Sequence, residues 1–166
     1  MQKITPFLWF TDNAEEAMNH YITVFKNAKV KSAARYGEAG PGPKGTLMVG
    51  SFELDGYEFM VLNGGPQYTM NPSISFVVTC ETAEEVDAYW AKLSEGGTAL
   101  MEIGEYPFSK RYGWTADRFG VSWQIMVSMD GKAHPITPTL MFVGEQAGNA
   151  QEAVRSYMEL FPPATI

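Results

Sequence analysis

The chain has 166 residues, 45% of them hydrophobic and 19% charged, a size at which one domain buries roughly 70% of the surface its unfolded form exposes. Twelve Lys and Arg against 19 Asp and Glu give a formal charge of −7, which repels phosphate backbones and anionic membrane surfaces and sets nucleic-acid binding aside. Cys80 is the single cysteine and has no internal partner; no basic leader runs into an apolar stretch, and no window approaches the ~20 apolar residues of a bilayer span, so a reduced, cytoplasmic setting without membrane contact is expected.

Residues 3–10 alternate as a strand and run into Thr11-Asp12-Asn13, good helix-capping types. Ala14, Ala17, Met18, Tyr21 and Phe25 then recur at helical spacing. A β-rich run to Tyr36, a Gly/Pro loop from Gly37 to Gly45 and the strand TLMVGSFEL follow, and Asp55-Gly56 supplies tight-hairpin chemistry into YEFMVLN. The first unit therefore reads βαβββ. After Asn71-Pro72 the order recurs: ISFVVTC as a strand, Glu81 to Ser94 as a helix with Val86, Tyr89, Trp90 and Leu93 on one stripe, and a short strand from Thr98 to Ile103. A Gly/Pro loop leads from there to a second hairpin around Asp117 to Gly120. A third copy begins and stops: Ile136, Pro138, Leu140 and Phe142 repeat Ile4, Pro6, Leu8 and Phe10, and Asn149-Ala150, Ala153, Tyr157 and Phe161 repeat Asn13-Ala14, Ala17, Tyr21 and Phe25. The repeat needs about four extra residues between strand and helix, near Gly144 to Gly148, where insertion costs little.

ITPFLWF-x-x-NAEEA, RYGEAGPGPKG, the strand ending LNGGP and GW-x-x-DRFGVSWQI together resemble the PhnB-like group of the vicinal oxygen chelate (glyoxalase/bleomycin resistance) superfamily, a group described by a 3-demethylubiquinone 3-methyltransferase domain. The resemblance covers residues 1 to about 128. It implies an α+β fold of paired βαβββ modules, residues 1–66 and 71–128 within a domain of 1–134, with 135–166 as a partial βα repeat. It also implies a pocket between curved sheets that in many members holds a divalent metal, with one ligand from each of four strands. The corresponding positions are Thr5, Leu62 or Asn63, Ser73 or Ile74, and Gln124. Neutral hydroxyls and amides do not offset the dehydration of a divalent cation as carboxylates and imidazoles do, so no metal ligand and no cofactor is expected here.

The methyltransferase description finds one motif to rest on. Gly40-Pro41-Gly42-Pro43-Lys44-Gly45 satisfies G-x-G-x-x-G, but strand composition follows where a phosphate-binding loop needs a helix, and two prolines remove the N–H groups that would cradle phosphate. A plain loop is expected.

Period-2 logic assigns the pocket lining. Ile4, Pro6, Leu8 and Phe10 share one face of the first strand and Thr5, Phe7 and Trp9 the other; if the first set meets the helix, the second faces the cleft. The same logic offers Ser73 and Ser75 on the fifth strand and Gln124 on the last, with Trp114 beside it. The expected site is Thr5, Phe7, Trp9, Asn63, Ser73, Ser75, Trp114 and Gln124, an aromatic cleft with several hydroxyls and amides, suited to a small, partly apolar ligand. Plain core packing of Phe7, Trp9 and Met126 is the competing reading. Asn63-Gly64-Gly65 is either a turn needing positive φ or a close approach to ligand. Glu105 to Tyr112 reads as a loop over the second module, either a solvated stretch or a lid whose Lys110 and Arg111 would offset an anionic ligand. Cys80, on the helix-facing side, reads as a small buried hydrophobe.

No triad, catalytic carboxylate pair or activated cysteine is visible. The functional expectation is a metal-free pocket that binds or transforms a small molecule. The alternatives are a metal-dependent lyase, isomerase or dioxygenase of the same superfamily and, from the domain description alone, a methyltransferase. The terminal βα fragment, too small to bury its own apolar stripe, is expected to pack on its own domain or on a neighbouring chain, within a homodimer to whose interface it contributes. The sequence leaves open whether the chain is a piece of a longer tandem protein.

Overall fold

A computed structural model describes Gln2 and residues 4–161; Lys3, in the expected first strand, and residues 162–166, in the expected terminal fragment, lie outside the described residues. The elements run β1 (Phe7–Phe10), α1 (Ala14–Val24), β2 (Ala28–Arg35), β3 (Leu47–Leu54), β4 (Tyr57–Asn63), β5 (Ile74–Cys80), α2 (Ala83–Leu93), β6 (Thr98–Tyr106), β7 (Ser109–Ala116), β8 (Ser122–Val127), β9 (His134–Leu140) and α3 (Ala150–Leu160), with a single 3-10 turn at Gly144–Gln146 before α3. They form two sheets, ordered β1-β4-β3-β2 and β6-β7-β8-β5-β9. The fold is α+β and of the glyoxalase type, built from two βαβββ modules in which β1 runs parallel to β4 and β5 parallel to β8.

Local chemistry explains most boundaries. Asp55 and Gly56 hold φ of 47° and 83°, the pair of positive values a two-residue hairpin requires. Thr82 caps α2 by accepting the Glu85 N–H at 3.3 Å, and the Glu85 carboxylate reaches back to the Glu81 N–H at 3.2 Å, a variant of the reciprocal capping box. Asn13 makes no such bond; α1 is capped from across the module, where Asn63 Oδ1 accepts the Ala14 N–H at 2.9 Å. β1 starts at Phe7 rather than residue 3, because Pro6 has no N–H to give the ladder and contributes its carbonyl alone, accepting from Met60 at 2.9 Å.

The core lies on the helix-facing sides of the two sheets. Leu8 and Phe10 are buried there with Ala14, Ala17, Met18 and Tyr21 of α1. Phe59 of the first module meets Phe76 of the second edge-to-face, ring centroids 5.0 Å apart, and Trp123 lies 5.4 Å from both Phe76 and Tyr21. The modules are also joined through one buried carboxylate. Asp117 Oδ2 accepts Tyr21 O–H at 2.7 Å and Trp123 Nε1–H at 2.9 Å, while Oδ1 accepts the Phe119 and Val121 amides, each at 2.9 Å.

One expectation is corrected. Glu105 to Tyr112 is not a loop: β6 and β7 continue to a tight tip at Pro107-Phe108, where Phe108 packs on Tyr106 and Tyr112 at 5.6 and 5.0 Å. This aromatic cluster holds the strands together where Gly and Pro suggested a break. The third βα copy packs its strand on its own domain, one of the two expected placements, and sits there differently from the first. β9 pairs antiparallel with β5 of its own sheet, Ile74 opposite Leu140 and Phe76 opposite Pro138, an edge position that tolerates Pro135 and Pro138. α1 buries Ala14, Ala17, Tyr21 and Phe25 at 3% exposure or less, whereas their counterparts Tyr157 and Phe161 in and after α3 are 47% and 48% exposed.

Candidate functional site

Where the edge of the first sheet approaches β5 and β9, the chain encloses a cavity of about 590 Å³, within the range of small-molecule sites. Phe7 and Trp9 of β1, Ile74 of β5, Leu140 of β9, and Tyr157 and Phe161 in and after α3 line it. The polar groups are few: Thr69 and Asn71 in the linker between modules, Ser73 before β5 and Ser122 at the start of β8. Among the described residues, none that lines it carries a charge.

Trp9 is the best-fixed member. Its Nε1–H donates to the Gly65 carbonyl at 2.8 Å and its indole stands edge-on to Tyr68 at 5.1 Å. A Cβ at position 64 would lie 2.3 Å from the indole ring, so Gly64 is where the backbone passes against Trp9, and Gly65 holds the positive φ of 85° that turns the chain away. Both glycines therefore serve the wall of the cavity.

The structure divides the expected site residues. Phe7, Trp9 and Ser73 come together in the cavity. Ser75 and Gln124 share the other face of the second sheet, in a row joined across three strands: Tyr112 O–H donates to Gln124 Oε1 and Gln124 Nε2–H to Ser75 Oγ, both at 2.7 Å. Trp114 lies beside this row, its Nε1–H on Ser122 Oγ at 2.8 Å. Asn63 is on the helix side with both amide atoms engaged, Oδ1 by Ala14 and Nδ2–H on the Leu47 carbonyl at 2.8 Å. Thr5 is half-buried and outside the cavity lining. Arg111 is paired with Asp87 at 2.7 Å and Lys110 is exposed on β7; neither lines the cavity. Ile4, Met70, Ile74, Leu140, Tyr157 and Phe161 also line the cavity and were not expected as site residues.

The ionisable groups near these faces are quiet. Burial pushes the Tyr112 hydroxyl up to about 12, so it remains a neutral donor to Gln124 at physiological pH. Burial likewise pushes the Cys80 thiol to about 12, far from the thiolate a nucleophile requires. Gln124→Ala would strip partners from Tyr112 and Ser75, which are 4% and 2% exposed. In urea unfolding it should cost about 1–3 kcal/mol, with affinity at the cavity unchanged within twofold.

The donor set does not suit a divalent cation. The positions that the resemblance points to offer hydroxyls and two amides, and the amides of Asn63 and Gln124 are already bonded at both ends. His20 packs against Phe119 at 5.5 Å and His134 bonds to Asp130 at 3.0 Å. Among the described residues no three His, Cys, Asp or Glu side chains converge. The Gly40–Gly45 segment leads into β3 and not into a helix, so it lacks the helix terminus that binds a nucleotide phosphate.

Residues 2–126 match the family model described as 3-demethylubiquinone-9 3-methyltransferase. The chain belongs to this PhnB-like family. A putative 3-demethylubiquinone-9 3-methyltransferase, PhnB protein, from Bacillus cereus is 46% identical, with 76% of this chain covering 100% of that one at a TM-score of 0.73. An uncharacterized Mycobacterium tuberculosis protein is 28% identical over 122 residues, 69% of this chain and 68% of its own. The Listeria monocytogenes fosfomycin resistance protein, in a complex with Mn(II), shares the fold at 15% identity and a TM-score of 0.53, over 79% of this chain and 95% of that one. PhnB-like proteins and this neighbour place the fold in the vicinal oxygen chelate superfamily. No helix among the described residues is long and apolar enough to cross a membrane.

Proposed function

We propose that this PhnB-like protein holds an uncharged, mainly apolar small molecule in the cavity between β1, β5 and β9, without a metal ion. The observation that carries the reading is the lining: about 590 Å³ walled by aromatic and aliphatic side chains, with a few hydroxyls and one amide to orient a ligand and, among the described residues, no charge to meet one. An anionic or cationic compound would lose its hydration there without a compensating partner. The test is saturable, one-to-one binding of the neutral fluorescent probe N-phenyl-1-naphthylamine.

The family's description names a methyltransferase, which the glycine loop does not support. Calorimetry with S-adenosylmethionine should give no saturable heat at micromolar ligand; a saturable isotherm would restore the methyl-transfer reading.

The same reading includes a reducing, cytoplasmic setting, in which Cys80 stays a thiol, and a homodimer. The second sheet presents Trp114, Gln124 and Met126, all half-buried, on the face away from α2. A second copy set against this face would cover it. Light scattering at micromolar concentration should give twice the 18.4 kDa chain mass, and removal of residues 135–166 should raise the monomer share. A full-length chain that stays monomeric would refute the dimer.

A further inference from the structure

α3 carries a packing face with almost nothing packed beneath it. Its apolar residues recur at the spacing of those in α1, yet no residue of α3 is buried. Tyr157 and Phe161, one helical turn apart, line the cavity while remaining about half exposed. The helix is reached through a segment in which Gly144 and Gly148 hold positive φ of 59° and 90°, and residues 143–152 are all exposed. The connection is a run of turns, with the Gln146 N–H on the Val143 carbonyl and the Ala147 N–H on the Gly144 carbonyl, each at 3.1 Å, and a short helix without core burial lies at the low end of local stability.

We infer that α3 is a hinged cover on the cavity, held open or loosely shut in the empty protein and drawn down by an apolar ligand. The inference rests on the ligand-binding reading above and adds how the ligand enters and leaves. β9 is fixed in the sheet by its ladder to β5, so the anchor of the hinge stays in place while the glycine-bounded segment swings. A ligand under Tyr157 and Phe161 supplies the apolar surface that the sheet supplies to Tyr21 and Phe25 in α1, and burial of these two rings joins ligand binding to helix closure. Among the described residues no charged side chain lines the cavity and α3 presents none to it, so closure removes the ligand from water without stranding a charge on them.

Hydrogen exchange on the full chain, with and without N-phenyl-1-naphthylamine, tests this together with the dissociation rate of the probe. Amides of residues 150–161 should exchange rapidly in the empty protein and slow about tenfold or more when the probe is bound. A Tyr157→Ser, Phe161→Ser double variant, which alters no buried residue, should release the probe about tenfold faster while the rest of the chain keeps its protection. If the probe binds but α3 gains no protection and the variant releases it at the wild-type rate, the cover is refuted and the cavity stands. If the wild type does not bind the probe at all, the cavity reading falls and the cover falls with it.

Discussion

Replacing Asp117 with alanine should be among the most destabilising single changes in the chain, costing about 3–5 kcal/mol and lowering the melting temperature by about 10 °C or more. The carboxylate is 5% exposed and accepts four hydrogen bonds: Tyr21 from the first module, Trp123 from the second, and two amides of the β7–β8 turn. Alanine would leave the Tyr21, Val121 and Trp123 donors buried without an acceptor and the half-buried Phe119 amide without its partner. Asp117→Asn should cost less, because its carbonyl oxygen can keep the two amides, while its NH2 group faces the Trp123 N–H, donor against donor. Differential scanning calorimetry of both variants checks the order.

The pH dependence follows from the same burial. Burial raises the Asp117 carboxyl above its ordinary value, against the pull of its hydrogen bonds. The folded state then binds a proton at a pH where the unfolded chain has released it. The contribution of this group is fullest below the ordinary aspartate range and is lost as pH rises through the raised value. The stability of the wild type relative to Asp117→Asn should therefore increase as pH falls through that window. A relative stability that decreases there would mean that the hydrogen bonds outweigh desolvation.

Leu140→Arg should lower affinity for N-phenyl-1-naphthylamine about 100-fold, since a guanidinium on the cavity wall must either be buried against the probe or block its entry. Leu140 sits at the end of edge strand β9, opposite Ile74, and is 45% exposed, so the fold should tolerate the change within about 1 kcal/mol. Met129→Arg, at a position 90% exposed and outside the cavity lining, adds the same charge and should leave affinity unchanged. Equal loss in both variants would point to net charge, and no loss in either would empty the cavity of its proposed role.

Much of this architecture is legible in the sequence because its signals are local. The alternation of β1 is legible in its burial, with Leu8 and Phe10 buried and Phe7 and Trp9 more open, but it does not sort the cavity lining, which takes Ile4, Pro6 and Leu8 along with Phe7 and Trp9 and leaves out Thr5; Asp55-Gly56 specifies its hairpin directly. The position of Asn63 was also readable: it shares strand parity with Phe59 and Val61, both 0% exposed, and that parity puts its amide at the helix rather than in a cleft. The seat of the terminal fragment was not. Repetition of the first βα unit leaves open whether the fragment packs on its own domain or on a neighbouring chain, and β9 adds antiparallel to the free edge of β5. A choice of sheet edge is a long-range event with no local sequence signal, and the cavity depends on it through Pro138, Leu140, Tyr157 and Phe161. Ser75 and Gln124 have the expected facing, yet they lie in the Tyr112 row instead of the cavity lining, because facing alone does not say which sheet surfaces come together.

The central claim, an uncharged ligand held in this cavity without a metal, is tested most directly by titrating the chelator-treated protein with N-phenyl-1-naphthylamine. One saturable site, with the same affinity before and after chelation, is the predicted result. No saturable binding, or binding lost on chelation and restored by Mn(II), would contradict it.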